Sequence, residues 1–302
     1  MKKHIEYYNK NAGHFYEYKI TKKGKTKYQK YEIGYSREYG KVLILDNMTQ
    51  IVEKNEYEYH ELITHPVFMT RNSPIKHKIN DVLVIGGGDG GVIRELYKHN
   101  EINSITLVEL DEDVIKLTSK YFPDVCKDVF INPKTKIIID DGLSYVEKAI
   151  SNNNKFDLII MDMTDPSGPS TKLYTINFFN KIKTLLKNDY SRFVMHTESP
   201  ITTPKTYARI NTTLKQVFKK VHNYHSYIQM YGTLWGFAIC MKEDKNFSLK
   251  INSLNNNFDL KNNKLVTTEN YMSFFTKYPY ISDLKWGETI DETNCYILEE
   301  RS

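Results

Sequence analysis

The residues best suited to do chemistry in this chain are two carboxylates, Asp162 and Asp165, that follow an apolar run. The run at 158–161 (LIIM) predicts a buried strand, and the proline- and glycine-rich segment at 166–169 predicts a loop after it. Open α/β sheets bind their ligands at the carboxyl ends of their strands. The two acids therefore predict a site for a cation, or for a group that must lose a proton. An Asp-Pro turn needs one acid at most, which disfavours a purely structural role.

A glycine-rich loop supplies a second candidate site. Gly86, Gly88 and Gly91 form a GxGxxG pattern directly after a strand-like run and before a helical pattern, the context in which this pattern binds nucleotides. Glu109 ends the next predicted strand, near the position at which an acid binds ribose hydroxyls. These residues predict a ligand that carries a nucleoside. The alternatives are a tight βα turn for the glycines and a solvated strand end for Glu109.

An acid inside this loop restricts the choice of ligand. Asp89 would repel a pyrophosphate at the helix N-terminus, which disfavours NAD. It suits a ligand with a cationic group and no phosphate, such as a sulfonium of the S-adenosylmethionine type. Asp141, which precedes Gly142, ends a third predicted strand. It is placed either to accept a hydrogen bond from an adenine amino group or to cap the helix predicted at 142–150.

Acids recur on the loops at strand ends, although the chain has a formal net charge of +5. Carboxylates gathered at one edge of a sheet would repel one another and resist ionisation. A polycationic substrate would resolve that conflict. The acids concerned are Asp89, Glu109, Asp141, Asp162, Asp165 and Glu198.

The elements that would position these residues follow two patterns. The first sixty residues predict a small antiparallel sheet, with strands at 14–20, 26–35 and 41–46, followed by a helix at 57–69. Strands and helices then alternate, which predicts a parallel sheet covered by helices. The later strands are predicted at 82–87, 104–110, 134–141, 156–162, 191–197 and 237–242, and the helices at 91–100, 112–122, 142–150 and 209–221. A surface loop is predicted near 255–264.

The bulk composition excludes several classes of protein. A hydrophobic content of 40% indicates a packed core, and no apolar run approaches the roughly 20 residues of a membrane helix. The N-terminus has no apolar core of a secretory signal, and the three cysteines (Cys126, Cys240 and Cys295) form no CxxC pair. We therefore expect a cytoplasmic protein without disulfides, without a metal and without membrane association. The lysines are scattered, so no nucleic-acid partner is expected.

Taken together, the motifs resemble the signature blocks of the spermidine synthase family of polyamine aminopropyltransferases. The resemblance covers about Thr26 to Phe237, in the order of the family's blocks. The matching segments are TKYQ, EYHELITHP, VLVIGGGDGGVIREL, LVELDEDVI, DDGLSYV, DMTDPSGPSTKLYT and HTESP.

The resemblance implies a fold and an activity. The fold is an α/β fold, a Rossmann-like class I methyltransferase-type parallel sheet at 63–302, with a small N-terminal antiparallel β domain at 1–62. The activity is transfer of an aminopropyl group from decarboxylated S-adenosylmethionine, a co-substrate, to an amine, with release of 5′-methylthioadenosine. No metal or redox cofactor is implied. The assembly would be a homodimer or a homotetramer.

The resemblance also implies roles for individual residues. Asp165 would be the base that deprotonates the attacking amine, and Asp162 would hold the ammonium of the donor. Tyr59 would position the attacking nitrogen, and the segment at 164–174 would close over both substrates. The remaining donor contacts would come from Gln29, His60, Gly86, Gly88, Asp89, Glu109 (ribose), Asp141 (adenine) and Gly142. His196 is given no role.

Departures from the family pattern concern the amine acceptor. Met163 and Thr164 replace the usual serines between the paired aspartates, and LDNMTQ replaces LDGxxQ. The segment at 230–237, MYGTLWGF, lacks the usual YPSG-like turn. Putrescine is the first expectation, with spermidine as the product. The alternatives are spermidine or agmatine as acceptor, a methyltransferase that uses S-adenosylmethionine, and a non-catalytic polyamine-binding module.

Overall fold

Two β-sheets organise the protein in the computed structural model, which describes residues 1–69, 78–166, 168–243, 260–282, 284 and 287–295. The strands are β1 (Lys2–Asn9), β2 (Ala12–Lys25), β3 (Lys30–Ser36), β4 (Gly40–Leu45), β5 (Met48–Val52), β6 (Asp81–Gly86), β7 (Ser104–Glu109), β8 (Thr135–Ile139), β9 (Leu158–Asp162), β10 (Arg192–Glu198), β11 (Lys220–Ile228) and β12 (Thr233–Met241). The helices are α1 (Tyr57–Thr64), α2 (Pro66–Met69), α3 (Gly91–Leu96), α4 (Glu112–Tyr121), α5 (Pro123–Cys126), α6 (Gly142–Ser151), α7 (Ile176–Leu185), α8 (Pro204–Val217) and α9 (Pro279–Ser282). Short 3-10 segments lie at Gly168–Tyr174, Gln229–Tyr231 and Tyr271–Phe275.

The N-terminal sheet is antiparallel, in the order β1-β2-β3-β4-β5. A two-residue turn at Asp46 and Asn47 connects β4 to β5, and both residues have positive φ (44° and 67°). Asp and Asn tolerate that conformation, which matches the twist of a tight hairpin. The predicted N-terminal antiparallel sheet is thus confirmed. The outer strands β1 and β5 were not predicted, because their polar positions hide the apolar alternation.

The second sheet has the order β11-β12-β10-β9-β6-β7-β8. Strands β8, β7, β6, β9 and β10 are parallel, and β12 and β11 are added antiparallel. Side chains of β6 alternate between two apolar layers: Val82 and Val84 face one layer, and Leu83 and Ile85 face the other. The sheet is therefore covered on both faces, as predicted for a Rossmann-like fold. Among the described residues, no helix is both long and apolar enough to cross a membrane.

One predicted helix was misplaced. The pattern at 209–221 predicted a single helix, whereas α8 begins at Pro204 and ends at Val217. Proline suits the first helical turn, where its missing N–H costs nothing. Residues from Lys220 onward form the edge strand β11, which pairs with β12 over nine residues, so tertiary pairing overrides the helical pattern there. The first part of the predicted loop, 255–259, lies outside the described residues.

The parallel sheet brings the predicted acids to one edge. Gly86 pairs in register with Asp162, and Glu109 pairs with Ile139, so the ends of four adjacent strands lie side by side. The N-terminal sheet lies over the same edge: Tyr8 Oη donates to the Tyr231 carbonyl at 2.9 Å. The boundary predicted between residues 62 and 63 falls within α1 and stays a prediction.

A buried carboxylate ties the C-terminal part of the chain to α1. Glu61 is 1% exposed, and its two oxygens accept backbone N–H bonds from Lys264, Leu265 and Val266, each at 2.8 Å. Hydrogen bonds to a charged acceptor are stronger than neutral ones. This contact fixes the segment that precedes the 3-10 helix at Tyr271–Phe275.

We expect the substitution Glu61→Gln to destabilise the protein by about 2–4 kcal/mol, since the amide group would turn a donor towards buried backbone donors. Thermal unfolding should show a fall in Tm of about 5–10 °C. The matched control is Glu112→Gln, which removes an exposed ion pair with Lys116 and should cost under about 0.5 kcal/mol. Equal falls in Tm for the two variants would show that the Glu61 carboxylate does not hold the C-terminal segment against α1.

Candidate active site

The glycine loop between β6 and α3 is packed against the acidic groups. Gly86 has a φ of +79°, and a Cβ there would lie 2.1 Å from the Asp162 carbonyl oxygen. A Cβ at Gly91 would lie 2.3 Å from the His60 ring. Only glycine allows such close approach together with a left-handed backbone. The loop is therefore shaped by its neighbours in the site and is more than a tight turn.

Glu109 faces this loop from the end of β7. Its Oε2 accepts from the Gly88 N–H at 3.1 Å and its Oε1 from the Asp111 N–H at 2.9 Å. Burial raises the pKa of Glu109 to about 7, and the charges of Asp111 and Asp89 act in the same direction. Gln29 reaches the same region, where its side-chain amide donates to Asp111 at 3.0 Å.

Asp162 ends β9 beside the loop. Its Oδ2 is buried and has no hydrogen-bond partner among the described residues. Burial raises the pKa of Asp162 to about 7, and the charges of Asp89 and Glu109 add to this effect, against the opposing charge of His60. A buried carboxylate oxygen without a partner is costly unless something binds it. The position thus favours a cationic or proton-donating ligand.

His60 projects from α1 between two carboxylates. Its Nδ1 lies 2.5 Å from Glu56 Oε2, and its Nε2 lies 3.3 Å from Asp89 Oδ2. Burial opposes a charge on the ring, but Asp89 and Glu56 outweigh it and raise the pKa of His60 well above its usual value. His60, Asp89 and Asp162 have ligand atoms within 4.8 Å of one another. Both ring nitrogens contact carboxylates, which favours a proton on each of them.

These residues line a cavity of about 140 Å³. A second cavity, of about 40 Å³, adjoins it, and the two share Gln50, Tyr59, Met163, Thr164 and Tyr231. The structure brings every residue to which the resemblance gave a role to one of these two cavities. Glu198, which the sequence analysis grouped with the acids at strand ends, is buried and lines neither cavity. The larger cavity is lined by Gln29, Tyr59, His60, Gly86, Gly88, Asp89, Glu109, Asp141, Gly142 and Asp162, and the smaller by Tyr59 and Asp165. We call them the large and the small cavity.

Comparison with known proteins identifies the family. The sequence model of the spermine/spermidine synthase domain matches residues 56–251, and that of the spermidine synthase tetramerisation domain matches residues 4–53. The chain belongs to the spermine/spermidine synthase family. The second match supports an oligomeric assembly of this family member.

Individual relatives agree with this result. A polyamine aminopropyltransferase of Clostridium kluyveri is 34% identical over 88% of this chain and 91% of its own length. Polyamine aminopropyltransferase 2 of Hyperthermus butylicus is 37% identical over 73% of this chain and 70% of its own length. The spermidine synthase of Thermotoga maritima has a similar structure, with a TM-score of 0.78, 28% identity and 93% of each chain covered. A spermidine synthase solved with the transition-state analogue AdoDATO gives 0.79, with 29% identity and 93% and 94% covered.

This family member is therefore an aminopropyltransferase of the spermidine synthase type, and the predicted family, fold and enzyme class are confirmed. Asp141 confirms the helix-cap alternative, and its adenine contact stays a prediction. Its Oδ1 caps α6 by accepting from the Ser144 N–H at 2.9 Å, as the helix-cap alternative predicted, and it also lines the large cavity.

The sequence analysis missed several residues of the small cavity in this aminopropyltransferase. His196, given no role, lies there; its Nε2 is 3.1 Å from both Tyr174 Oη and the Met163 carbonyl oxygen, and burial lowers its pKa. Tyr231 and Trp235 also line it, with ring centroids 4.3 Å apart. The unusual segment at 230–237 was the only signal for these two rings.

Glu6 is another missed residue of the small cavity. It comes from β1, ahead of the first family block (TKYQ, 26–29), and no local motif marks it. Its Oε1 accepts from the Thr49 N–H at 2.7 Å and lies 3.0 Å from His4 Nε2. Only the pairing of the N-terminal strands brings this carboxylate to the site.

The raised pKa of Asp162 makes a prediction about stability and pH. Because its folded pKa of about 7 exceeds its unfolded value, the side chain favours the fold at low pH and loses that contribution as pH rises from about 4 through 7. Asp162→Asn should therefore raise the Tm of the ligand-free protein at pH 8 by about 3–8 °C and change it little at pH 4.5. Differential scanning calorimetry at the two pH values checks this.

Asp113→Asn is the matched control, because Asp113 is about half exposed on α4 and away from both cavities. It should leave Tm within about 1 °C at both pH values. A Tm gain for Asp162→Asn that is the same at pH 4.5 and pH 8 would contradict the proposed titration.

Proposed function

We propose that the enzyme transfers the aminopropyl group of decarboxylated S-adenosylmethionine to putrescine, giving spermidine and 5′-methylthioadenosine. The observation that carries the proposal is the pair of adjoining cavities, which meet at Tyr59. Asp162 faces the large cavity and Asp165 the small one, so a donor and an acceptor can approach each other between the two acids.

The large cavity suits the donor. Glu109 presents a carboxylate beside the glycine loop, where ribose hydroxyls can donate to it. Asp141 and Gly142 line the cavity at the start of α6, in keeping with an adenine contact. Asp89 and Asp162 would attract the sulfonium and the ammonium of the donor. S-Adenosylmethionine itself carries an additional carboxylate that these acids would repel, which disfavours the methyltransferase alternative.

The chemistry then needs one base. The attacking amine is an ammonium at neutral pH and must lose a proton before its lone pair can attack the carbon next to sulfur. The carbon–sulfur bond breaks, and its electrons remain on the sulfur of the methylthioadenosine. Asp165 lines the small cavity and is proposed as the base. The backbone around it is held by Ser170 Oγ, which donates to the Asp165 carbonyl at 2.7 Å.

The small cavity favours a short diamine. Its volume is less than a third of that of the large cavity, and carboxylates of Glu6 and Asp165 both line it. Burial raises the pKa of Tyr231 far above its usual value, and the charges of Asp165, Asp162 and Glu6 add to this effect, so acidic groups surround this hydroxyl. Two separated acids suit an acceptor with a cation at each end, such as putrescine.

We also propose that the enzyme is cytoplasmic and that it assembles as a homodimer or a homotetramer.

The substitution Asp165→Asn should lower kcat by about 10²- to 10⁴-fold, because the amide cannot accept the proton of the amine. Binding of decarboxylated S-adenosylmethionine should change by less than about twofold, since Asp165 lies in the other cavity. Asp124→Asn, at an exposed position of α5, is the control and should keep full activity. If Asp165→Asn keeps its turnover, Asp165 is not the base. If the unaltered protein binds polyamines without turnover, the non-catalytic polyamine-binding module is favoured instead.

The acceptor is tested with a panel. Purified enzyme and decarboxylated S-adenosylmethionine are incubated with putrescine, cadaverine, agmatine and spermidine, and the products are identified by mass spectrometry. We expect kcat/KM for putrescine to exceed that for spermidine by at least about tenfold, because the small cavity has a volume of only about 40 Å³ and is lined by the bulky rings of Tyr231 and Trp235. Product only from spermidine or agmatine would assign another acceptor. No methylthioadenosine with any amine would exclude aminopropyl transfer.

A further inference from the structure

A chain of buried charges leads from α3 into the large cavity. Arg94 donates from its two terminal nitrogens to the two oxygens of Glu56, at 2.9 and 2.8 Å. Glu56 Oε2 contacts Nδ1 of His60, and Nε2 of His60 contacts Asp89. Asp89 is fixed in turn by the Gly91 N–H, which donates to its Oδ1 at 2.7 Å. Arg94 contacts neither cavity, so the predicted donor residues do not account for it.

The two carboxylates determine the state of the His60 ring in the ligand-free protein. Ionised Glu56 and Asp89 can only accept hydrogen bonds, so both ring nitrogens must carry protons. Burial opposes the charge on Glu56, but His60 first, and then the bidentate guanidinium contact of Arg94, lower the pKa of Glu56 and keep it ionised. The charged groups that act on the ring are Glu56 before α1, Arg94 on α3 through Glu56, Asp89 in the glycine loop and Asp162 at the end of β9.

A cationic ligand changes this balance. Without a ligand, the positive charge of the His60 ring offsets the negative charges of the acids. The same charge would repel the ammonium or sulfonium of a donor placed against Asp89 and Asp162. Of the two ring protons, that on Nδ1 is held by the short contact to Glu56, whereas that on Nε2 has only the longer contact of 3.3 Å to Asp89, a residue that lines the large cavity. The Nε2 proton is therefore the one that a bound cation would displace.

We propose that binding of the cationic donor expels the Nε2 proton of His60 to solvent, and that Arg94 and Glu56 are positioning residues that keep the remaining proton on Nδ1. The Nε2–H bond breaks, and its lone pair then accepts a hydrogen bond from the donor ammonium. A resident proton is thus exchanged for a ligand cation. This inference rests on the proposed donor, decarboxylated S-adenosylmethionine.

Isothermal titration calorimetry at pH 8, in two buffers that differ in ionisation enthalpy, measures the protons released on binding. Decarboxylated S-adenosylmethionine should release about 0.5–1 proton per site, and neutral 5′-methylthioadenosine fewer than about 0.2. Asp162 contributes little at this pH, because its pKa is about 7. If the donor binds without proton release, the inference is overturned while the proposed function stands. If neither ligand binds, the proposed function fails and the inference falls with it.

Variants assign the released proton. Glu56→Gln keeps the shape of the side chain and removes its charge, so proton release should disappear and donor affinity should fall about 3- to 10-fold. Its affinity for 5′-methylthioadenosine should stay within about twofold. Arg94→Lys keeps the positive charge and should lie between Glu56→Gln and the unaltered protein, and His60→Asn should release no proton. A Tm loss in Glu56→Gln with unchanged proton release would mean a purely structural role and would overturn the inference.

Discussion

Mutual repulsion among carboxylates is the constraint on which the rest of this structure depends. Asp89, Glu109 and Asp162 lie at the ends of adjacent strands, and two of them have pKa values raised to about 7. The ring of His60 contacts both Glu56 and Asp89, and its positive charge opposes the negative charges of these acids. Several elements hold these like charges together: the ion pairs of α1 and α3, the glycine loop and the N-terminal sheet. Asp162 Oδ2, which is buried and has no hydrogen-bond partner among the described residues, adds to the cost of this arrangement.

Much of this arrangement follows from the sequence, since it rests on local rules. The alternation of strands and helices determines the parallel sheet, and a parallel sheet places the carboxyl ends of its strands at one edge. Glu109, Asp141 and Asp162 could therefore be assigned to one site by their positions after apolar runs. The glycine pattern between a strand and a helix located the loop in the same way. The identification of the family added roles that residue types alone left open.

The parts that could not be predicted depend on long-range pairing. Glu6 reaches the small cavity only because β1 pairs with β2 and the N-terminal sheet lies over one edge of the second sheet. The sequence around Glu6 carries no signal of a site. The edge strand β11 was hidden by a helical pattern that continued past Val217, and only its pairing with β12 defines it. His196 lies in a run predicted as an ordinary buried strand, so its sequence context does not mark it as a site residue. Its role in lining the small cavity emerges from the approach of Met163 and Tyr174.

The contact between Tyr8 and the carbonyl of Tyr231 joins residues 223 positions apart in the chain. Both line the small cavity, so its wall is complete only when the N-terminal sheet meets the segment that contains Tyr231. Closure over such a separation is entropically late in folding, because many residues must be ordered before the contact is formed. The segment that contains Tyr231 also lines the large cavity, together with Met230, so both cavities depend on it. A chain that ended before Met230 would therefore lack part of the wall of both cavities.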